Sequence, residues 1–129
     1  MPRQSVDTRL FEPIGPYSHV VRSGGQVFVS GTPGVDPATG ELAGDSAQVQ
    51  ALQALRNVIA CVEAAGGGEA DICSVQVNLL RVEDFAAMNR AYEALFRPPY
   101  PARTVIGVAA LPKAGALLTV SAVAVLGKD

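Results

Sequence analysis

The segment DSAQVQALQALRNVIACVEAAGGGEADICSVQVNLL, residues 45–80, changes its hydrophobic period once, and that change decides the fold. Asp45 or Ser46 can cap a helix, because a short polar side chain there accepts from the orphan amides of the first turn. Behind them Val49, Leu52, Leu55, Val58, Ile59 and Val62 recur at helical spacing, and Gly66-Gly67-Gly68 ends the run. From Ile72 to Leu80 the period drops to two. Cys73, Val75, Val77 and Leu79 are expected on one buried face of a strand, with Ser74, Gln76 and Asn78 on the other.

Upstream, an apolar stretch from Val20, the turn Ser23-Gly24-Gly25 and Val27-Phe28-Val29-Ser30 read as a hairpin. The Gly and Pro density from Gly31 to Gly40 predicts a loop without regular structure. Downstream, a second helix is expected over about residues 83–96. Glu83 and Asp84 favour its first turn, Phe85, Met88, Tyr92, Leu95 and Phe96 form its buried stripe, and Pro98-Pro99 follow its end. Strands over about residues 103–108 and 117–125, separated by residues 111–115, complete the chain. The order is two or three strands, helix, strand, helix, two strands. One α+β domain over residues 1–129 satisfies it, with a single sheet covered on one face by two helices. Residues 116–125 are apolar at both parities, so the other face needs a cover, and association of copies of the chain would supply one.

Composition narrows the function classes. The 129 residues are 49% apolar and 17% charged, with a formal net charge of -2, and no run of Lys and Arg interleaves with aromatics, so a nucleic-acid partner is not expected. Nothing approaches the roughly 20 apolar residues that span a bilayer, and no leader-like apolar stretch follows residues 1–7, so the expectation is a cytoplasmic protein without a membrane partner. Cys61 and Cys73 form no CxxC pair and His19 is the sole histidine, so neither a disulfide framework nor a metal cluster can be assembled, and no metal or cofactor is expected. Each cysteine reads as a small buried apolar residue.

GxSxG, P-loop and GxGxxG patterns are all missing, which leaves carboxylate binding or water positioning as the available chemistry. Arg103 opens a strand directly after Pro101-Ala102, and a planar guanidinium held by rigid backbone suits a bidentate carboxylate. Spacing alone also allows it to pair with a protein carboxylate or to edge the sheet.

Taken together the motifs resemble the reactive-intermediate deaminase (Rid) family. Ile14-Gly15-Pro16-Tyr17-Ser18-His19 is similar to its IGPYSQ-type opening, Val29-Ser30-Gly31 to its strand-ending SGQ, and Asp36-Pro37-Ala38-Thr39-Gly40 to its PxTG loop. Ala64-Ala65-Gly66 matches the end of its first helix, and Asp84-Phe85 through Asn89-Arg90-Ala91-Tyr92 its DFxxxNxxY helix. Pro101-Ala102-Arg103 with Leu111-Pro112 matches its PAR…LP signature. The resemblance implies a chorismate-mutase-like (bacillus type) homotrimer whose sheets form a central barrel, with ligand clefts between subunits. Arg103 would hold the substrate carboxylate there, and Tyr17, Ser30, Gly31 and Asn89 would line the cleft.

The chain departs from that pattern where the family's chemistry is done. A last-strand Glu that helps position the attacking water is replaced by Thr119, a second acidic position by Ser121, and the Cys whose carbonyl assists by Val105, which keeps the carbonyl. His19 and Thr32 stand for two Gln residues. A threonine hydroxyl holds a water but cannot take its proton near neutral pH. His19, or with less promise Glu12, would have to supply a base if it reached the cleft. The leading expectation is hydrolysis of imine or enamine acids of the 2-aminoacrylate and 2-iminopropanoate type to 2-keto acids and ammonia, with Arg103 as clamp and Thr119 and Val105 at the water. The alternative is a binding or regulatory module for keto or amino acids that has lost the chemistry. A ribonuclease or translation-inhibitor role, a label some family members carry, fits the acidic charge poorly.

Overall fold

The computed structural model describes residues 2–127. The elements run β1 (Gln4–Ser5), β2 (Val20–Ser23), β3 (Gln26–Pro33), α1 (Ala47–Ala64), β4 (Ile72–Leu79), α2 (Phe85–Leu95), β5 (Ala102–Gly107) and β6 (Leu118–Val125), with 3₁₀ turns at Glu69–Asp71 and Val82–Asp84. The six strands form one sheet in the order β1-β2-β3-β6-β4-β5. β6 is antiparallel to both β3 and β4, whereas β4 and β5, joined through α2, are parallel. The chain is thus a mixed α+β fold, and β1 is the strand that the sequence left open.

α1 is built as its flanking residues require. Ser46 Oγ accepts from the Val49 amide at 3.2 Å. At the other end Gly66, at φ +103°, donates to the Glu63 carbonyl while Gly67 donates to that of Val62, the paired closure of a Schellman motif that a side chain at residue 66 would strain. The buried face differs from the expected one. Ala47, Gln50, Ala51, Ala54, Leu55, Asn57, Val58, Cys61 and Val62 are buried, whereas Val49 is 44% exposed. Small alanines let α1 sit close over β3 and β6, which rotates Val49 out.

Leu55, Val58, Val75, Val77, Leu79, Met88, Leu118 and Val120 are essentially inaccessible and form one core with Val20, Val27 and Val29. Truncating any of the larger ones to Ala would cost about 2–5 kcal/mol. Phe85, expected in the α2 stripe, is 43% exposed, because the 3₁₀ turn delays the helix and leaves Met88, Ala91 and Tyr92 to pack inward.

Two bulges correct two further expectations. Between Val29 and Thr32, β3 carries one residue more than β6, where Ala122 and Val120 are the partners. The segment from Gly31 to Pro33, expected as loop, therefore stays in the sheet, and Thr32 is turned inward and buried. In β4 the register shifts between Ile72 and Ser74, which buries Ile72 and exposes Cys73. Cys61 is buried as expected; Cys73 is not.

Candidate functional site

The sequence-derived site residues fall into two groups at separate places. Arg103 is the second residue of β5, an edge strand, and its Nη1 donates to Asn89 Oδ1 at 2.9 Å. Its guanidinium lies 4.7 Å from the centre of the Tyr92 ring and 5.6 Å from that of Phe85, so two aromatic faces stiffen a charged fork that remains exposed. Nε and Nη2 have no partner among the described residues. Asn89, Tyr92, Glu93, Tyr100 and Pro101 complete a concavity of about 350 Å³ around it. Burial pushes the Tyr92 phenol up, and the Arg103 charge partly offsets that.

Val105 follows two residues later on the same face. Val108 donates to the Leu79 carbonyl, so the even-numbered backbone groups of β5 face β4 and, by the period of two, the Val105 carbonyl faces the open edge.

The second group gathers at a cavity of about 680 Å³. Tyr17, Ser30, Gly31 and Thr119 line it, with Phe11, Ile14, Pro33, Val35 and Pro112 as an apolar wall and Glu12 and Lys113 as its charged members. The β3 bulge presents Ser30 and Gly31 there, and a Cβ on Gly31 would lie 3.8 Å from Thr119 Oγ1. Ser30 donates to the Ser18 carbonyl at 2.6 Å, which ties the motif loop to the strand. Asn78 Nδ2 donates to Thr119 Oγ1 at 3.3 Å, leaving that hydroxyl able to donate its own proton.

The sheet keeps the groups apart. Arg103 is in register with Val75, whose side chain lies under the helices, whereas Thr119 is in register with Asn78 on the uncovered face. Arg103 and Thr119 therefore lie on opposite faces of the sheet within one protomer.

His19 does not line the cavity. It is 8% exposed, with Nε2 bound to the Phe11 carbonyl and its ring edge-on to Phe11, so it latches residues 11–19.

Sequence reasoning missed the struts beneath the cavity. Gln50 donates to the Gly44 and Gly115 carbonyls and accepts from the Leu117 amide, while Asn57 donates to Val35 at 2.8 Å. Their signal was two amides seven residues apart on the buried face of an otherwise apolar helix. The aromatic support of Arg103 was missed too, since Phe85 and Tyr92 read only as core.

A family model described as Endoribonuclease L-PSP matches residues 8–126. A Dermatophagoides farinae protein named 2-iminobutanoate/2-iminopropanoate deaminase is 38% identical over 113 residues, 87% of this chain and 88% of that one. The crystal structure of RidA from the Antarctic bacterium Psychrobacter sp. superposes with a TM-score of 0.90 at 37% identity, covering 95% of this chain and 99% of that one. The structure of Escherichia coli TdcF with bound serine gives 0.87 at 37% identity, with coverages of 96% and 99%. The chain belongs to the Rid family.

Proposed function

We propose that this Rid-family chain is an imine/enamine deaminase that acts as a homotrimer, its sheets forming a central barrel in the chorismate-mutase-like manner. Each active site would join the Arg103 edge of one protomer to the Tyr17–Thr119 cavity of the next. The observation that carries the reading is the Arg103 fork. It is stiffened by Asn89 and Tyr92, faces out at a sheet edge and keeps Nε and Nη2 free for a bidentate carboxylate. The separation of the two residue groups within one protomer supports a shared site, and the half-polar, half-apolar open face supports association.

In this reading a 2-aminoacrylate-like enamine tautomerises to its imine, and Arg103 holds the carboxylate. A water held by Thr119 Oγ1 and the Val105 carbonyl adds through oxygen to the imine carbon. The C=N electron pair moves to nitrogen, which takes a proton, and the carbinolamine collapses to a 2-keto acid and ammonia. Orientation and charge complementarity are the main contributions, since the imine is already electrophilic.

The test is the rate of keto-acid appearance from enzymatically generated 2-iminopropanoate in competition with semicarbazide. Wild type should accelerate it and Arg103→Ala should not; an inert wild type would sink the reading. Thr119 favours the second reading, a ligand-binding module without chemistry. That reading predicts calorimetric binding of 2-ketobutyrate that needs Arg103, no turnover by wild type, and turnover by Thr119→Glu. The acidic net charge gives no support to a ribonuclease role.

A further inference from the structure

Resting on the deaminase reading, we infer that Glu12 is the carboxylate that takes the proton of the attacking water, in place of the Glu that the last strand lacks. Thr119 leaves the reaction without a base, and a hydroxyl cannot serve as one near neutral pH. Glu12 lines the same cavity as Tyr17, Ser30, Gly31 and Thr119 and is the sole carboxylate to do so among the described residues. Its side chain has neither a hydrogen bond nor an ion pair among those residues, so nothing holds it elsewhere.

The segment that carries it is braced. The Phe11 carbonyl immediately before it is bound by buried His19, and Pro13 immediately after it restricts residue 12 to extended backbone. His19, the other candidate base, is buried and does not line the cavity. Glu93 is the carboxylate on the Arg103 side, where the substrate's own carboxylate must sit, so a water-activating role there would work against binding.

The step balances without a co-reactant. A water O–H passes its proton to a Glu12 carboxylate oxygen as the O–C bond forms, the C=N pair goes to nitrogen, and the carboxyl hands that proton to the nitrogen to give the carbinolamine. The carboxylate then takes the carbinolamine O–H proton and delivers it to the nitrogen as the C–N bond breaks, leaving the keto C=O and ammonia. The charged and titratable groups that share the cavity with Glu12 are Lys113 from the loop before β6 and Tyr17 from its own loop, and the proposed trimer would add the neighbouring protomer's Arg103.

The experiment is keto-acid release from 2-iminopropanoate as a function of pH for wild type, Glu12→Gln, Glu12→Asp, Glu93→Gln and Glu12→Gln/Thr119→Glu, with Arg103→Ala as the inactive reference. The expected result is a loss on the order of 10²-fold or more in Glu12→Gln, within the range of general-base catalysis. The fall of wild-type activity at acid pH should vanish with it. Glu12→Asp should restore part of the rate, and a carboxylate supplied from residue 119 should restore both rate and acid limb. An active wild type, an inactive Arg103→Ala and a Glu12→Gln that keeps its rate and profile would overturn the inference while leaving the deaminase reading intact. An acid limb that disappears in Glu93→Gln instead would overturn it too, and an inert wild type would remove both.

Discussion

Arg103 illustrates how a side chain's value depends on what braces it. Arg103→Lys keeps the charge but loses both the planar fork and the stacking over Tyr92. Calorimetric affinity for 2-ketobutyrate should fall about tenfold or more, because one bidentate, charge-assisted contact is worth more than about 1.4 kcal/mol. Thermal stability should barely change, since the side chain is exposed. Tyr92 makes the converse case: its hydroxyl is buried without a hydrogen-bond partner among the described residues. Tyr92→Phe removes a polar group that folding leaves unpaired, so it should be neutral or stabilising by up to about 1 kcal/mol in urea unfolding. A loss above about 1 kcal/mol would show that the hydroxyl is satisfied in the assembled protein.

α1 is where the fold and the cavity meet. Its existence, cap and terminal glycine were legible from periodicity and local chemistry, because those signals are carried by adjacent residues. Its buried face was misjudged at Val49, Gln50 and Asn57, because which stripe turns inward depends on how closely alanines let the helix approach the sheet. Bulges escaped reading for a similar reason. Ser30-Gly31 and Cys73 change parity through pairing with β6, a partner some 50 to 90 residues away in sequence. Close approach also fixes Gly34, where a Cβ would lie 2.3 Å from the Gln50 carbonyl oxygen. Gly34→Ala must displace the backbone of α1 and should cost several kcal/mol or abolish soluble expression, whereas Gly31→Ala, whose Cβ would meet Thr119 at an ordinary contact distance of 3.8 Å, should fold normally. Within α1, burial raises the Cys61 thiol to about 11 from its ordinary 9.0. A raised folded value means that the unfolded chain ionises first. The thiol's contribution is therefore complete below pH 9 and is lost as pH climbs through 11. The urea midpoint of wild type should drop across that window, by up to about 2–3 kcal/mol of stability, and Cys61→Ala should drop less steeply.

At the scale of the whole molecule, the candidate residues could be named one by one from the motifs, but their distribution over two faces of one sheet could not. Only strand order and register reveal it, and both are set by long-range pairing. If each site joins the β5 edge of one protomer to the bulged β3 of the next, two defects on opposite sides of the interface must complement each other. Arg103→Ala removes the clamp, and Gly31→Phe fills the cavity beside Thr119. Each variant alone should be folded and inactive. When equal amounts are unfolded and refolded together, about one quarter of the wild-type sites should return, because each mixed trimer of cyclic symmetry rebuilds a single interface with an intact Arg103 and an open cavity. A mixture with no activity, from proteins shown to exchange subunits, would mean that Arg103 and Gly31 serve one site within a protomer. The antiparallel β4–β6 pairing that holds Thr119 on the uncovered face would then have to break for catalysis.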